Sequence, residues 1–318
     1  MNATAVRDLA IIADFQGKTT SARALMQHAE ALSRREILAE LWLIEDAVSR
    51  QSPAEAIRHY DRVLAVSTDL QPTLLPILVN ASSDRDILRE LVPVLAGRPR
   101  WWRAFMAVLV TQGTNPRSML VIARASKLNP DDETDRGLAQ TMLSRMIFGR
   151  AYHAAIALAR SLGAEGNAGL TLSDGDFERL VGLTPFAWWF EDSSALRAYR
   201  DRVPNGSTGL WVEASLGGSG EAARRLIALP PGRYRLTGDA GNVSSRRLAQ
   251  PMVQIDCADG ESLGAVRLAP SENASRPYSV DFAISAGKCP VQMIRVVTAP
   301  AVDTRVWLDN IAITPITE

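Results

Sequence analysis

Near Gly163–Gly169 the apolar residues change their period. Before that point they recur every three and four residues, the spacing of one helix face. After it they alternate, between turns rich in Gly, Pro and Asn. A chain patterned in this way cannot bury both halves in one kind of element. It reads as two unlike modules in series, an α-helical domain over 1–165 and a β-sandwich domain over 170–318. A length of 318 residues agrees with two modules, since single domains run to roughly 100–200 residues.

Charge excludes some partners. Basic and acidic residues number 35 each, and the two signs are close to balance in both halves. The electrostatic footprint of a nucleic-acid binder is missing. No stretch reaches the roughly 18 apolar residues that span a bilayer. Met1–Ala13 lacks a cationic flank followed by an apolar run, so it does not read as a secretory leader.

The helical half shows its punctuation. Ser52 is placed to cap a helix over Pro53–Leu64, with Pro53 at the first position and Glu55 three after the cap. Glu36–Val48 carries a broad apolar face, as expected of a helix buried between neighbours. Pro72 and Pro76 bracket another start, and a short helix around Ile87–Leu95 is expected to break near Pro93. Further helices follow from Trp101, from Met119 and after Asp131–Glu133, and Gly163 is expected to end the set. The segment Ser52-Pro-Ala-Glu-Ala-Ile-Arg-His-Tyr-Asp-Arg-Val-Leu64 resembles the second helix of a tetratricopeptide repeat, with Ala56 and Tyr60 at the small and aromatic packing positions. An echo begins at Gly149, and a weaker one at Gln16. The resemblance covers roughly residues 1–163 and implies an α-helical repeat solenoid that offers a surface to a protein partner. A regular period of about 34 residues does not hold between Pro72 and Pro130.

The second half divides into eight strands, within Gly209–Leu216, Ala223–Leu229, Arg233–Ala240, Pro251–Cys257, Leu263–Leu268, Tyr278–Ile284, Met293–Thr298 and Arg305–Ile313. Asp174-Gly-Asp-Phe-Glu178 is read as the opening of the sandwich, ahead of the cluster Phe186-Ala-Trp-Trp-Phe190. Asp174–Glu178, Leu229-Pro-Pro-Gly-Arg-Tyr-Arg-Leu236 and Val306-Trp-Leu-Asp-Asn-Ile311 together resemble carbohydrate-binding modules of the galactose-binding-like jelly-roll superfamily. That likeness implies an antiparallel β-sandwich jelly roll over about 170–318 and a glycan or a protein as ligand. It also implies a structural calcium between the first and last strands, for which the matching positions are Asp176, Glu178 and Asp309. The other reading of those acids is edge polar groups bonded to loop backbone.

Sugar binding needs an aromatic platform with polar neighbours. In Leu210–Leu216 the odd positions are Trp211, Glu213 and Ser215, which alternation puts on the face away from the core. Trp211 beside Glu213 is then the candidate glycan face, unless a loop or the helical domain covers it. Trp188 and Trp189 form the second aromatic candidate, at least one of them expected to plug the sandwich edge, while Trp307 is expected in the core with Ile311 and Ile313. Cys257 and Cys289 read either as a disulfide closing the sandwich or as two buried thiols. A disulfide places the protein in an oxidising compartment, the periplasm or cell envelope, with a leader or anchor upstream of this sequence; the cytoplasm is the alternative.

Catalytic patterns fail. His28, His59 and His153 all lie in the helical half at unrelated positions and are read as surface residues. Gly17-Lys18-Thr19 lacks the first glycine of a phosphate loop, since position 12 is Ile12. Arg98–Arg103, which mixes bases with Trp101 and Trp102, reads as a loop entering a helix rather than a grip for a polyanion. The expectation is a non-enzymatic adaptor of the bacterial envelope, concerned with surface polysaccharide assembly or export. The alternatives are a pure protein scaffold whose sandwich is only structural, or a polysaccharide-modifying enzyme.

Overall fold

A computed structural model describes residues 2–163, 172, 174–179, 182–272, 274–298 and 302–316. Among the described residues ten helices, α1 to α10, come first, and two antiparallel sheets follow. The chain is thus helical in its first half and a β-sandwich in its second. It divides into two compact units, Met1–Leu128 and Asn129–Glu318. The boundary expected at 165–170 lies outside the described residues, and the last two helices group with the sandwich.

In the first unit, α1 (Ala3–Phe15), α2 (Thr19–Leu32), α3 (Ile37–Ser49) and α4 (Pro53–Val66) pack each against the next. Beyond them α5 (Gln71–Ala81), α6 (Arg85–Ala96), α7 (Trp102–Gln112) and α8 (Pro116–Ala125) pack mainly one helix apart, α4 on α6, α5 on α7 and α6 on α8. This packing fits a helical repeat. Ala56 and Tyr60 are buried, as the repeat-like spacing requires. Two local expectations need correction. Ser52 makes no side-chain cap. Asp84, Asn115 and Asp132 do cap, at α6, α8 and α9 (Glu133–Phe148). Pro93 does not break α6, which runs through it to Ala96. A proline removes one backbone bond but does not end a helix whose apolar face is buried, and Leu91 and Leu95 on either side of Pro93 are fully buried. The second unit begins with α9 and α10 (Tyr152–Ser161), and the chain takes a positive φ at Gly163, just past α10.

All eight expected strands are present, and two were missed. These are β1 (Trp189–Phe190) and β2 (Leu196–Arg202). The rest are β3 (Thr208–Ala214), β4 (Gly220–Ile227), β5 (Gly232–Gly241), β6 (Met252–Cys257), β7 (Ser262–Arg267), β8 (Ser275–Ile284), β9 (Gln292–Thr298) and β10 (Thr304–Pro315). One sheet runs β1-β4-β9-β6-β7, the other β2-β3-β10-β5-β8. Asp174–Glu178 is a turn, not a strand. It still lies beside β10, because the Ile311 N–H donates to the Gly175 carbonyl at 2.8 Å. A Cβ at position 175 would overlap the Ile311 carbonyl, so only glycine permits this approach.

The sandwich core draws its inward residues from both sheets, among them Leu210, Val212, Leu236, Ile255, Phe282, Ile294 and Leu308. Trp188 joins it against Phe177, ring centroids 5.3 Å apart and planes tilted by 44°, so this tryptophan, expected at the sandwich edge, is part of the core. Cys257 and Cys289 are bonded as a disulfide, 32 residues apart, with their Cα atoms separated by 5.5 Å. Asp174 and Arg225 form a fully buried ion pair beneath the sandwich surface. Burial lowers the Arg225 pKa to about 10, since a guanidinium taken from water favours its neutral form.

Candidate functional site: the outer face of the β2-β3-β10-β5-β8 sheet

Strand parity separates the two faces of this sheet. In β2, β3 and β5 the even residues point into the core and the odd ones outward. In β10 the parity reverses at a bulge between Asp309 and Ala312, where Asn310 takes a φ of 53°. Val306 and Leu308 precede the bulge and Ile311 follows it, all facing the core. Trp307 therefore faces outward. The expectation that it shares the core face with Ile311 and Ile313 is corrected, because an unbroken alternation cannot anticipate an inserted residue.

Pairing then lines up Tyr199, Trp211, Trp307 and Gly241 across four strands. Directly paired residues of antiparallel strands share a face, so the three aromatic side chains form one row. Trp211, Trp307 and Val203 make a small apolar cluster of their own, with Tyr199 packed on it, on the opposite side of the sheet from the main core. A Cβ at 241 would overlap the Trp307 indole, so the row crosses β5 only because Gly241 lacks a side chain.

Trp211 shares its face with Glu213, as alternation required, but it is not an open platform. Its exposure is 9%. The Arg305 guanidinium lies 4.5 Å from the ring centroid, and the indole N–H donates to the Arg202 carbonyl at 3.1 Å. A loop residue, Val203, and a neighbouring arginine provide the cover that the sequence left open. Glu213 is the hub of the polar rim. It accepts from the Tyr199 hydroxyl at 2.6 Å and from Arg305 Nε at 2.9 Å. Arg305 also donates to the Tyr199 oxygen at 3.2 Å. Burial, with the bond to Glu213, raises the Tyr199 pKa, and the contact with Tyr199 raises that of Arg305.

Two polar depressions open on this sheet. One, of about 520 Å³, is lined by Ser193, Arg197, Glu213, Asp303 and Arg305. The other, of about 610 Å³, is lined by Arg235, Thr237, Asp239, Ser279 and Asn310, and the Asn310 amide donates to Asp239 at 3.1 Å. Asp239, Asn310, Arg197 and Arg305 were not singled out from sequence. Their signal was the odd-position parity of β2, β5 and β10, legible for β5 and obscured by the bulge for Asn310.

Trp189 lies on the other sheet, half-buried, with Arg224 stacked 4.4 Å from its ring centroid. It joins neither Trp188 in the core nor Trp211 in one face.

The calcium positions do not converge. Glu178 accepts from the Thr208 N–H at 2.7 Å and its hydroxyl at 3.0 Å, and the backbone bond holds the Glu178 pKa below the usual carboxylate value. Asp309 is buried and accepts from the Ser207 hydroxyl at 2.6 Å and the Asn310 N–H at 2.7 Å. Asp176 is exposed and accepts the Glu178 N–H at 3.3 Å. The Phe177 and Glu178 carbonyls, the backbone oxygens between and at two of these acids, both accept from the Arg200 guanidinium at 2.7 Å. A fixed positive charge on those oxygens does not fit calcium. Among the described residues the only convergence of acid and imidazole ligands is elsewhere, at Glu30, Glu40 and His59. His59 is correspondingly 2% exposed, which corrects its reading as a surface residue; His28 and His153 are exposed as expected.

No protein-family model matches the chain, and no curated protein does. The chain does resemble solved structures over about half its length. One is a tailspike protein 4 enzymatically active domain of bacteriophage CBA120, at 15% identity and a TM-score of 0.35, covering 48% of this chain and 22% of that one. Another is a CBM4 structure, at 14% and 0.37, covering 46% of this chain and 100% of that one. A third is TmCBM61 in complex with β-1,4-galactotriose, at 15% and 0.32, covering 47% and 97%. The matched share of the tailspike domain is thus under a quarter of its length. At such identities a shared sandwich fixes no ligand.

Proposed function

We propose that the outer face of the β2-β3-β10-β5-β8 sheet binds a glycan, and that the protein is a non-enzymatic binding protein. The observation that carries this reading is the Tyr199–Trp211–Trp307 row on the same sheet face as the polar depressions. A sugar ring offers an apolar C–H face and a rim of hydroxyls. It is recognised by an aromatic surface for the first and by planar carboxylate, amide and guanidinium groups for the second. Arg305, whose side chain is 54% exposed, is the movable cover. Its swing toward solvent uncovers the Trp211 ring and frees Glu213 for a hydroxyl.

The helical unit is assigned to a protein partner, in the manner of tetratricopeptide-like repeats, and the disulfide favours an oxidising compartment such as the periplasm or cell envelope. Surface polysaccharide assembly or export is the process that joins these properties. Titration calorimetry of the full chain against a panel of neutral and acidic polysaccharides tests the reading. Binding weakened at least about tenfold, or about 1.4 kcal/mol, by Glu213→Gln supports it. Unchanged binding in Glu213→Gln and Asp239→Asn moves the site off this face, and no binding to any glycan defeats the reading. One observation favours a second reading. Trp211 and Trp307 are nearly covered, and a face that stays closed would make the sandwich a structural partner of a protein scaffold.

A further inference from the structure

Three successive helices of the first unit bring Glu30 (α2), Glu40 (α3) and His59 (α4) together. One ligand atom from each lies within 4.8 Å of the others. Glu40 and His59 are 1% and 2% exposed, and His59 Nδ1 lies 2.5 Å from Glu40 Oε2. The second oxygen of Glu40, Oε1, is buried and has no hydrogen-bond partner. The nearest cation, Arg62 Nη1, stays 3.7 Å from it and is engaged by Glu30. A buried carboxylate oxygen left without a donor costs free energy of the order of a charge-assisted bond. Glu40 Oε1 thus has no hydrogen-bond donor and only the 3.7 Å ion pair with Arg62, within a cluster that also holds an imidazole and a second carboxylate, a donor set able to take a closer cation.

We infer that Glu30, Glu40 and His59 form a binding site for one divalent transition metal, of the Zn²⁺ or Mn²⁺ class. A mixed set of one imidazole nitrogen and two carboxylates suits these ions better than calcium, which takes oxygen alone. Three protein ligands leave a further position for water. The Glu30 and Arg62 side chains are 16% and 27% exposed, so the ion enters from their side. Arg62 is the competitor: its guanidinium sits on Glu30, and it must turn to solvent as the metal arrives. The metal ties α2, α3 and α4 at one point and therefore stabilises the helical unit by binding only the folded state.

The test uses the full chain without a histidine tag, stripped with a chelator and dialysed. Uptake of Zn²⁺ and Mn²⁺ is measured by titration calorimetry and elemental analysis, and Co²⁺ serves as a visible-absorption probe of its ligands. The expected result is one equivalent per chain and a higher melting temperature. His59→Gln and Glu40→Gln weaken uptake at least about a hundredfold, while His28→Gln leaves it unchanged. Glu30→Gln, at a partly exposed position, guards against variants that fail to fold, and circular dichroism monitors each. Arg62→Met separates the two physical readings. A metal site gains affinity when the competing cation is removed, whereas a plain ion-pair network takes up no metal and only loses stability. Absence of stoichiometric uptake by the unmodified chain, or equal uptake by His59→Gln and Glu30→Gln, overturns the inference.

Discussion

At the scale of single residues, the energetics concentrate on groups whose partners lie far away in sequence. Asp174 is one. Its carboxylate neutralises Arg225 inside the sandwich. Asp174→Asn removes a carboxylate charge from beside that buried guanidinium, and chemical unfolding should show a loss of about 3–5 kcal/mol. Gly241→Ala drives a methyl into the Trp307 indole. It should cost about 1–3 kcal/mol and blue- or red-shift the tryptophan emission as the aromatic row is displaced. Asp46 carries a pH dependence. Its carboxylate accepts from Arg23 at 2.7 Å and from Arg50 at 2.9 Å, and the Arg23 contact does most to hold its pKa below the ordinary value. A carboxylate with a depressed folded pKa contributes stability that is fully present above its unfolded pKa, about 3.9. That contribution is lost as pH falls through the lower folded value. Acid titration of helicity should therefore show a less steep loss below about pH 4 in Asp46→Asn, on a lower plateau at neutral pH.

At the scale of elements, several helix exits take a left-handed residue that is not glycine. Gln51 follows α3 with φ 56°, and Arg150 follows α9 with φ 57°. A Cβ is unfavourable there, so Gln51→Gly should raise the stability of the helical unit by about 0.5–1 kcal/mol, read from the denaturation midpoint. Arg98, at φ 46°, is a different case. Its guanidinium donates to the Ser126 and Lys127 carbonyls and lies 4.3 Å from the Trp102 ring centroid. Its basic, aromatic neighbourhood thus serves packing, and Trp101 and Trp102 are buried, as the sequence reading preferred. Strand β2 shows why an edge is hard to read. Leu196 and Ala198 face inward, but Arg197, Arg200, Asp201 and Arg202 give the segment the charge of a loop. Charge on an edge strand protects its unpaired backbone, and the protection hides the strand.

At the scale of the whole molecule, the sandwich carries its own core. Every residue of its main cluster lies at or beyond Leu172. A chain beginning at residue 172 should therefore fold alone, with a β-type far-ultraviolet spectrum and a cooperative transition. The disulfide closes a 32-residue loop within that domain. Reduction should lower its stability by about 3 kcal/mol, measured as the shift of the unfolding midpoint with and without reductant.

What the sequence determined by itself was periodicity: the three-and-four spacing of the helices from Gln16 onward, though not of α1, eight of the ten described strands, and the turns between them. These follow from each residue's own side-chain direction along its element, which local order fixes. The face of Trp211 and Glu213 was legible for the same reason. Three matters were decided only by the tertiary structure. The β10 bulge turned Trp307 outward, because one inserted residue inverts every later position. Arg305 and Val203 closed the ring of Trp211, because cover comes from a neighbouring strand and from the β2–β3 loop, which strand alternation does not place. Glu178, Asp309 and Arg200 satisfied one another's loops instead of gathering around an ion, and the buried convergence arose instead at Glu30, Glu40 and His59. Convergence of side chains from separate elements depends on how those elements pack, which no local pattern encodes.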